Sequence, residues 1–181
     1  MDQPEPHTIT AGVAVPIPDP WGCQLQQART GFGDHRAARI PTHITLLPPT
    51  AMPFEALPEL RAHLREVAGH QPAFPVVLRG TGTFRPVSDV VFVQVAQGIA
   101  ECEILERRVR SGRVATESVF PYHPHVTVAQ DIGRAALDRA FTELADFSCA
   151  FEADVVRLYT HTGDQQWRRD ADFALADSAA S

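Results

Sequence analysis

Apolar positions alternate with period two at Val13, Val15 and Ile17, while Pro16, Pro18 and Pro20 forbid a long central strand there. A short strand running out to a turn is predicted. Trp21 to about Arg29 has helical spacing until Gly31, Gly33 and Asp34 break it. Thr42 to Leu47 reads as a second strand, stopped at Pro48-Pro49. From Pro53 to about Gly69, Leu57, Leu60, Leu64 and Val67 share one helical face, with Pro at the start and Gly at the end. Phe74 to about Phe84 and Val90 to Val95 predict a hairpin joined through Arg85 to Asp89. Beyond it the pattern predicts helices from about Ile99 to Val109 and Arg134 to Leu144. Strands are expected from about Val126 to Gln130, around Phe151 to Tyr159, and from Gln166 to Phe173.

The second half repeats the order of the first. Aligning the strand at Val13 with the strand at Val91 brings a helix and then a strand opening with His in both halves, 30 residues on at His43 and 34 on at His125. Two related lobes without a linker are implied, so residues 1–181 read as a single bilobal domain, with 1–7 and 176–181 as mobile tails.

Composition narrows the class. At 181 residues, 44% hydrophobic and 21% charged, the chain buries enough apolar surface to fold without staples. Cys23, Cys102 and Cys149 have no disulfide or zinc-ligand spacing, which suits a reducing compartment. The first residues lack a signal peptide, and no apolar run approaches the roughly 18 residues of a membrane helix, so a cytoplasmic protein without a membrane partner is expected. The net charge of -6 argues against a coat for duplex DNA but leaves a single nucleic-acid end open. All 16 basic residues are Arg, which could serve bidentate phosphate recognition but is better accounted for by a codon bias.

Candidate chemistry sits in the repeated strands, which carry His43-Ile44-Thr45-Leu46 and His125-Val126-Thr127-Val128. Either His-x-Thr alone is expected by chance in a chain with 8 His; two in matching places are not. In a strand, residues i and i+2 share a face, so His43 with Thr45, and His125 with Thr127, point away from the core. If a pseudo-twofold relates the lobes, the two pairs meet across a cleft. One neutral imidazole can then take a proton from an attacking oxygen, one imidazolium can protonate a leaving oxygen, and the hydroxyls can donate to a phosphate. Which His plays which part depends on how the substrate lies in a nearly symmetric groove.

Those two motifs, with strand order and motif placement from about Thr8 to about Phe173, resemble the 2H phosphoesterases, and within them the group named for 2′-5′ RNA ligase. The resemblance implies an α+β fold, bilobal with a pseudo-twofold, two antiparallel sheets lining a central groove and helices outside. It implies no cofactor, and hydrolysis of 2′,3′-cyclic phosphate ends of RNA, oligonucleotides or nucleotides, usually to a 2′-phosphate, with reversible 2′-5′ joining in some members. His43, Thr45, His125 and Thr127 carry the chemistry in that reading, and a monomer is expected.

Weaker candidates surround them. Tyr122 and Phe120 could stack a base beside the second motif, and Phe84 with Arg85 could supply a base platform and a phosphate contact. Against each stands a plain packing or solvated role. His123-Pro124-His125 offers a His-x-His metal chelate, but no third ligand is indicated and Pro124 interrupts the strand. Arg107, Arg108, Arg110 and Arg113 cluster late in a helix, where the helix dipole accounts for them. His7, His35, His63, His70 and His161 show no partner pattern and read as surface or structural. A non-catalytic binder of RNA ends and a metal-dependent hydrolase remain the rival functions.

Overall fold

The computed structural model describes residues 7–111 and 121–177. Its eight strands are β1 Thr8–Pro16, β2 His43–Pro53, β3 Phe74–Thr83, β4 Val90–Gln97, β5 His125–Gln130, β6 Ser148–Ala153, β7 Val155–His161 and β8 Arg168–Ala174. Four helices join them: α1 Trp21–Gly31, α2 Leu57–Gly69, α3 Ile99–Arg110 and α4 Arg134–Glu143. Every predicted element is present, with two changes. β2 runs through Pro48 and Pro49, because both fall where Gly12 alone faces them between the Ala11–Thr50 and Val13–Leu47 pairs. At such a bulge no ladder N–H is asked of them. The apolar stretch around Phe151 to Tyr159 is two strands, parted only by Asp154.

All strand pairs are antiparallel, in the order β6-β3-β4-β5-β2-β1-β7-β8. The two four-stranded halves, expected as two sheets, meet in a single bridge between Ile44 and Val126 and so form one sheet. The lobes are not the two halves of the sequence. β3 follows α2 but pairs with β4, and β7 crosses after Asp154 to pair with β1. The helices cross as well: α3 packs on β2 and α1 on β5.

This arrangement follows from alternation. Ile44, Leu46, Val126 and Val128 are at most 1% exposed and face the helices, whereas His43, Thr45, His125 and Thr127 are half-buried on the opposite face. Burying one such aliphatic side chain contributes about 1.5–3 kcal/mol, so the register that turns the His-Thr face outward is held by the core behind it. At the C-terminal end Ala176, read from the sequence as the start of a tail, is paired on both sides: its N–H donates to Gln71 and its carbonyl accepts from Ala73.

Candidate active site

The bridge between Ile44 and Val126 decides how the two motifs meet. In an antiparallel register centred on that pair, His43 neighbours Thr127 and Thr45 neighbours His125, so the four polar side chains form one pseudo-symmetric patch. Each imidazole is held the same way. His43 Nδ1 lies 2.7 Å from the Pro41 carbonyl, and His125 Nδ1 lies 2.7 Å from the His123 carbonyl. A carbonyl only accepts, so Nδ1 carries the proton and Nε2 is left free on both rings.

Neighbouring elements fix the strand ends that carry these rings. Gln26 of α1 accepts from the Thr42 N–H at 2.9 Å and donates to the Ala37 carbonyl, while the Thr42 hydroxyl donates to Gly22 at 3.2 Å. From the other lobe the Tyr122 hydroxyl donates to the Thr45 carbonyl at 2.8 Å. The two halves of the patch differ in what surrounds them. His125 packs edge-on to Phe84 at 5.0 Å and beside Phe92 at 5.1 Å, with His123 stacked 6.3 Å away. His43 sits 6.4 Å from Tyr159.

A cavity of about 400 Å³ opens on the His43 side, lined among others by His43, Thr45, Thr127, Arg29, Arg36 and Arg39. Among the described residues no Asp or Glu lines it. A second hollow, of about 420 Å³, has Asp19, Glu152 and Asp154 in its wall and neither motif, so it does not suit an anion. Burial lowers the His43 imidazole to about 4, with the charges of Arg29 and His125 acting in the same direction against the Pro41 carbonyl. Burial also lowers His125, opposed by the His123 carbonyl. Both rings are therefore neutral in the free protein near pH 7. Among the described residues no group of three or more His, Cys, Asp or Glu is placed to hold a metal, and none of the helices is long and apolar enough to cross a membrane.

Residues 17–165, which include both motifs, match the family model described as the 2′-5′ RNA ligase superfamily. The chain belongs to that superfamily. It is thereby a 2H phosphoesterase by family. A protein of Geobacillus sp. (strain WCH70), provisionally named a phosphoesterase, is 28% identical over 126 residues, 70% of this chain and 72% of that protein. The fold is shared with E. coli LigT complexed with NADP+, at a TM-score of 0.64 and 19% identity over 94% of this chain and 99% of LigT. A Thermus thermophilus protein aligns with a TM-score of 0.65 and 21% identity, over 93% of this chain and 98% of its own. These superfamily folds agree with the α+β architecture expected from the sequence.

Within this superfamily member the weaker candidates separate. Phe84 stands against His125, as above. Arg85 is engaged: its guanidinium pairs with Asp138 at 2.7 Å and reaches the Thr83 hydroxyl. Tyr122 spends its hydroxyl on Thr45 and packs its ring against the core, which makes it a joint between lobes instead of an open stacking face. His123 precedes β5 and stacks on His125 without a third ligand beside them among the described residues. Arg108 donates to His70 and Gln71, and Arg110 pairs with Glu106. Phe120 and Arg113 lie outside the described residues.

The cavity also holds residues the motifs do not announce: Arg29, Arg36, Arg39, Tyr159, His161 and Trp167. His161, read from the sequence as surface or structural, lines the cavity with its ring against Trp167 at 4.5 Å. Arg29 had a signal available. It lies four residues after Leu25 on the same buried stripe of α1, and a charge in an apolar stripe needs a reason.

Proposed function

We propose that this chain is a phosphodiesterase that opens 2′,3′-cyclic phosphate ends of RNA, oligonucleotides or nucleotides to a 2′-phosphate without a cofactor. The observation that carries this reading is the paired tether: two imidazoles on one patch, each held through Nδ1 by the carbonyl two residues before it, each with Nε2 free and a Thr hydroxyl from the facing motif beside it. One Nε2 takes a proton from water as its oxygen bonds to phosphorus. The other imidazole, protonated, delivers its proton to O3′ as the P–O3′ bond breaks, leaving the phosphate on O2′. The Thr hydroxyls donate to non-bridging oxygens, where charge builds in the transition state. With a 5′-hydroxyl attacking in place of water, the same groups serve 2′-5′ joining.

The cavity favours an anion, since among the described residues the charged side chains lining it are cationic. LigT, which shares the fold, has been seen with 3′-AMP and with NADP+, ligands of nucleotide size. The test is incubation of the protein with 2′,3′-cyclic AMP and a cyclic-phosphate-ended oligonucleotide, with and without EDTA, reading the product by phosphorus NMR. A 2′-monophosphate formed at equal rates in both samples is expected. A folded protein that leaves both substrates intact would refute the reading, and turnover restored only by zinc or manganese would transfer it to a metal-dependent hydrolase.

A further inference from the structure

Arg29 is 3% exposed, and its guanidinium is anchored at one atom: Nε donates to Asp34 Oδ2 at 2.7 Å. The other Asp34 oxygen accepts from the Arg36 N–H at 2.9 Å, so the carboxylate is engaged at both ends. A guanidinium carries five N–H donors in a planar fork. The four on the two terminal nitrogens have no acceptor among the described residues. Arg29 itself lines the cavity that His43, Thr45 and Thr127 also line. The other two guanidinium groups there differ: Arg36 is half exposed and paired with Asp131, and Arg39 pairs with Gln165.

Anchoring the turn after α1 would need only the Nε contact, and burying a charge for that purpose alone is a poor use of an arginine. A buried guanidinium fork in the wall of a cavity lined by no carboxylate among the described residues has the donors for two oxygens of one phosphate. We propose that Arg29 is a phosphate-binding residue of this site, a third donor to the non-bridging oxygens beside the two threonine hydroxyls. This rests on the phosphoester reading of the groove.

Wild-type protein is titrated with inorganic phosphate while the Arg29 guanidinium nitrogen signals are followed by NMR, assigned against Arg29→Lys. Those signals should shift in step with phosphate binding. In Arg29→Met/Asp34→Leu, which removes the pair without orphaning a carboxylate, phosphate affinity should fall at least about 10-fold. Turnover of 2′,3′-cyclic AMP should fall about 10²- to 10³-fold, the scale of a lost oxyanion donor. Arg29→Lys should fall between, as a point charge without the fork. Arg29 signals that stay still while phosphate binds, a wild type that binds no phosphate, or a folded double variant with wild-type affinity and turnover would each overturn the proposal. The NMR arm needs no variant to be active, so it stands even if the double variant fails to fold. Phosphate binding that moves Arg29 in a protein inert toward cyclic phosphates would refute the cyclic phosphodiesterase reading and support Arg29. Turnover with a silent Arg29 would do the reverse.

Discussion

At the scale of single residues, the proposed acid and base are the first to test. His43→Ala and His125→Ala should each lower kcat about 10²- to 10⁴-fold with little change in melting temperature, and the double variant should be scarcely worse than either, since both act in one transfer. Thr45→Val and Thr127→Val keep shape and β-branching but delete a donor, and should cost about 10- to 10³-fold in kcat. The pH profile moves from where the motifs alone would put it. Two ordinary imidazoles would give a maximum near neutrality. In the folded protein His43 is lowered to about 4 and His125 is lowered as well, so both limbs of kcat/KM shift to the acid side. A bell with its maximum below about pH 6.5, unaltered by EDTA, is expected from rates measured across roughly pH 3.5 to 9. The same shift bears on stability. Between pH 6.5 and about 4 the unfolded chain takes up a proton that His43 refuses when folded, so stability falls as pH falls through that window. Melting curves of His43→Gln should lose that part of the acid sensitivity.

At the scale of elements, the site depends on packing behind the strands. Gly82 of β3 approaches Phe92 so closely that a Cβ would lie 2.5 Å from its ring, and Phe92 in turn supports His125. Gly82→Ala should therefore destabilise the fold by about 1–3 kcal/mol in denaturant titrations, as overpacking does, and lower kcat through a displaced ring. α1 plays the corresponding part for His43 through Gln26, whose amide group holds both Thr42 and the turn at Ala37. Both half-sites are thus set from outside the motif, one by a helix and one by an aromatic wall.

At the scale of the whole molecule, the exchange of strands between lobes predicts cooperative unfolding. β3 and β7 each continue from one lobe and pair in the other, and the lobes share the bridge at Ile44 and Val126, so neither lobe has a complete chain of its own. Calorimetric and van't Hoff enthalpies should agree in a single transition. Two resolved transitions would show lobes that fold independently. Tyr122→Phe, which deletes the hydroxyl that crosses to Thr45, should cost about 0.5–1.5 kcal/mol of that one transition.

Alternation and helical spacing were enough to place the elements, because each strand here has one face in the core and each helix one apolar stripe. The same alternation put His43 with Thr45, and His125 with Thr127, on the faces turned from the core, and their repetition pointed to paired proton transfer. Local pattern could not tell that Phe151 to Tyr159 divides at Asp154, since both strands are apolar and the break is a single residue. Nor could it tell which strands pair, because facing partners such as Val13 and Leu158 are far apart in sequence and are chosen by closure of the sheet. For the same reason Arg29, Arg36, Arg39, His161 and Trp167 carried no motif: they meet at one cavity only after α1, the turn behind it and the β7–β8 connection have been folded against β2. The residue chemistry belongs to the sequence. The lowered imidazoles and the buried guanidinium belong to the tertiary structure, because burial and neighbouring charge exist only once the chain is closed.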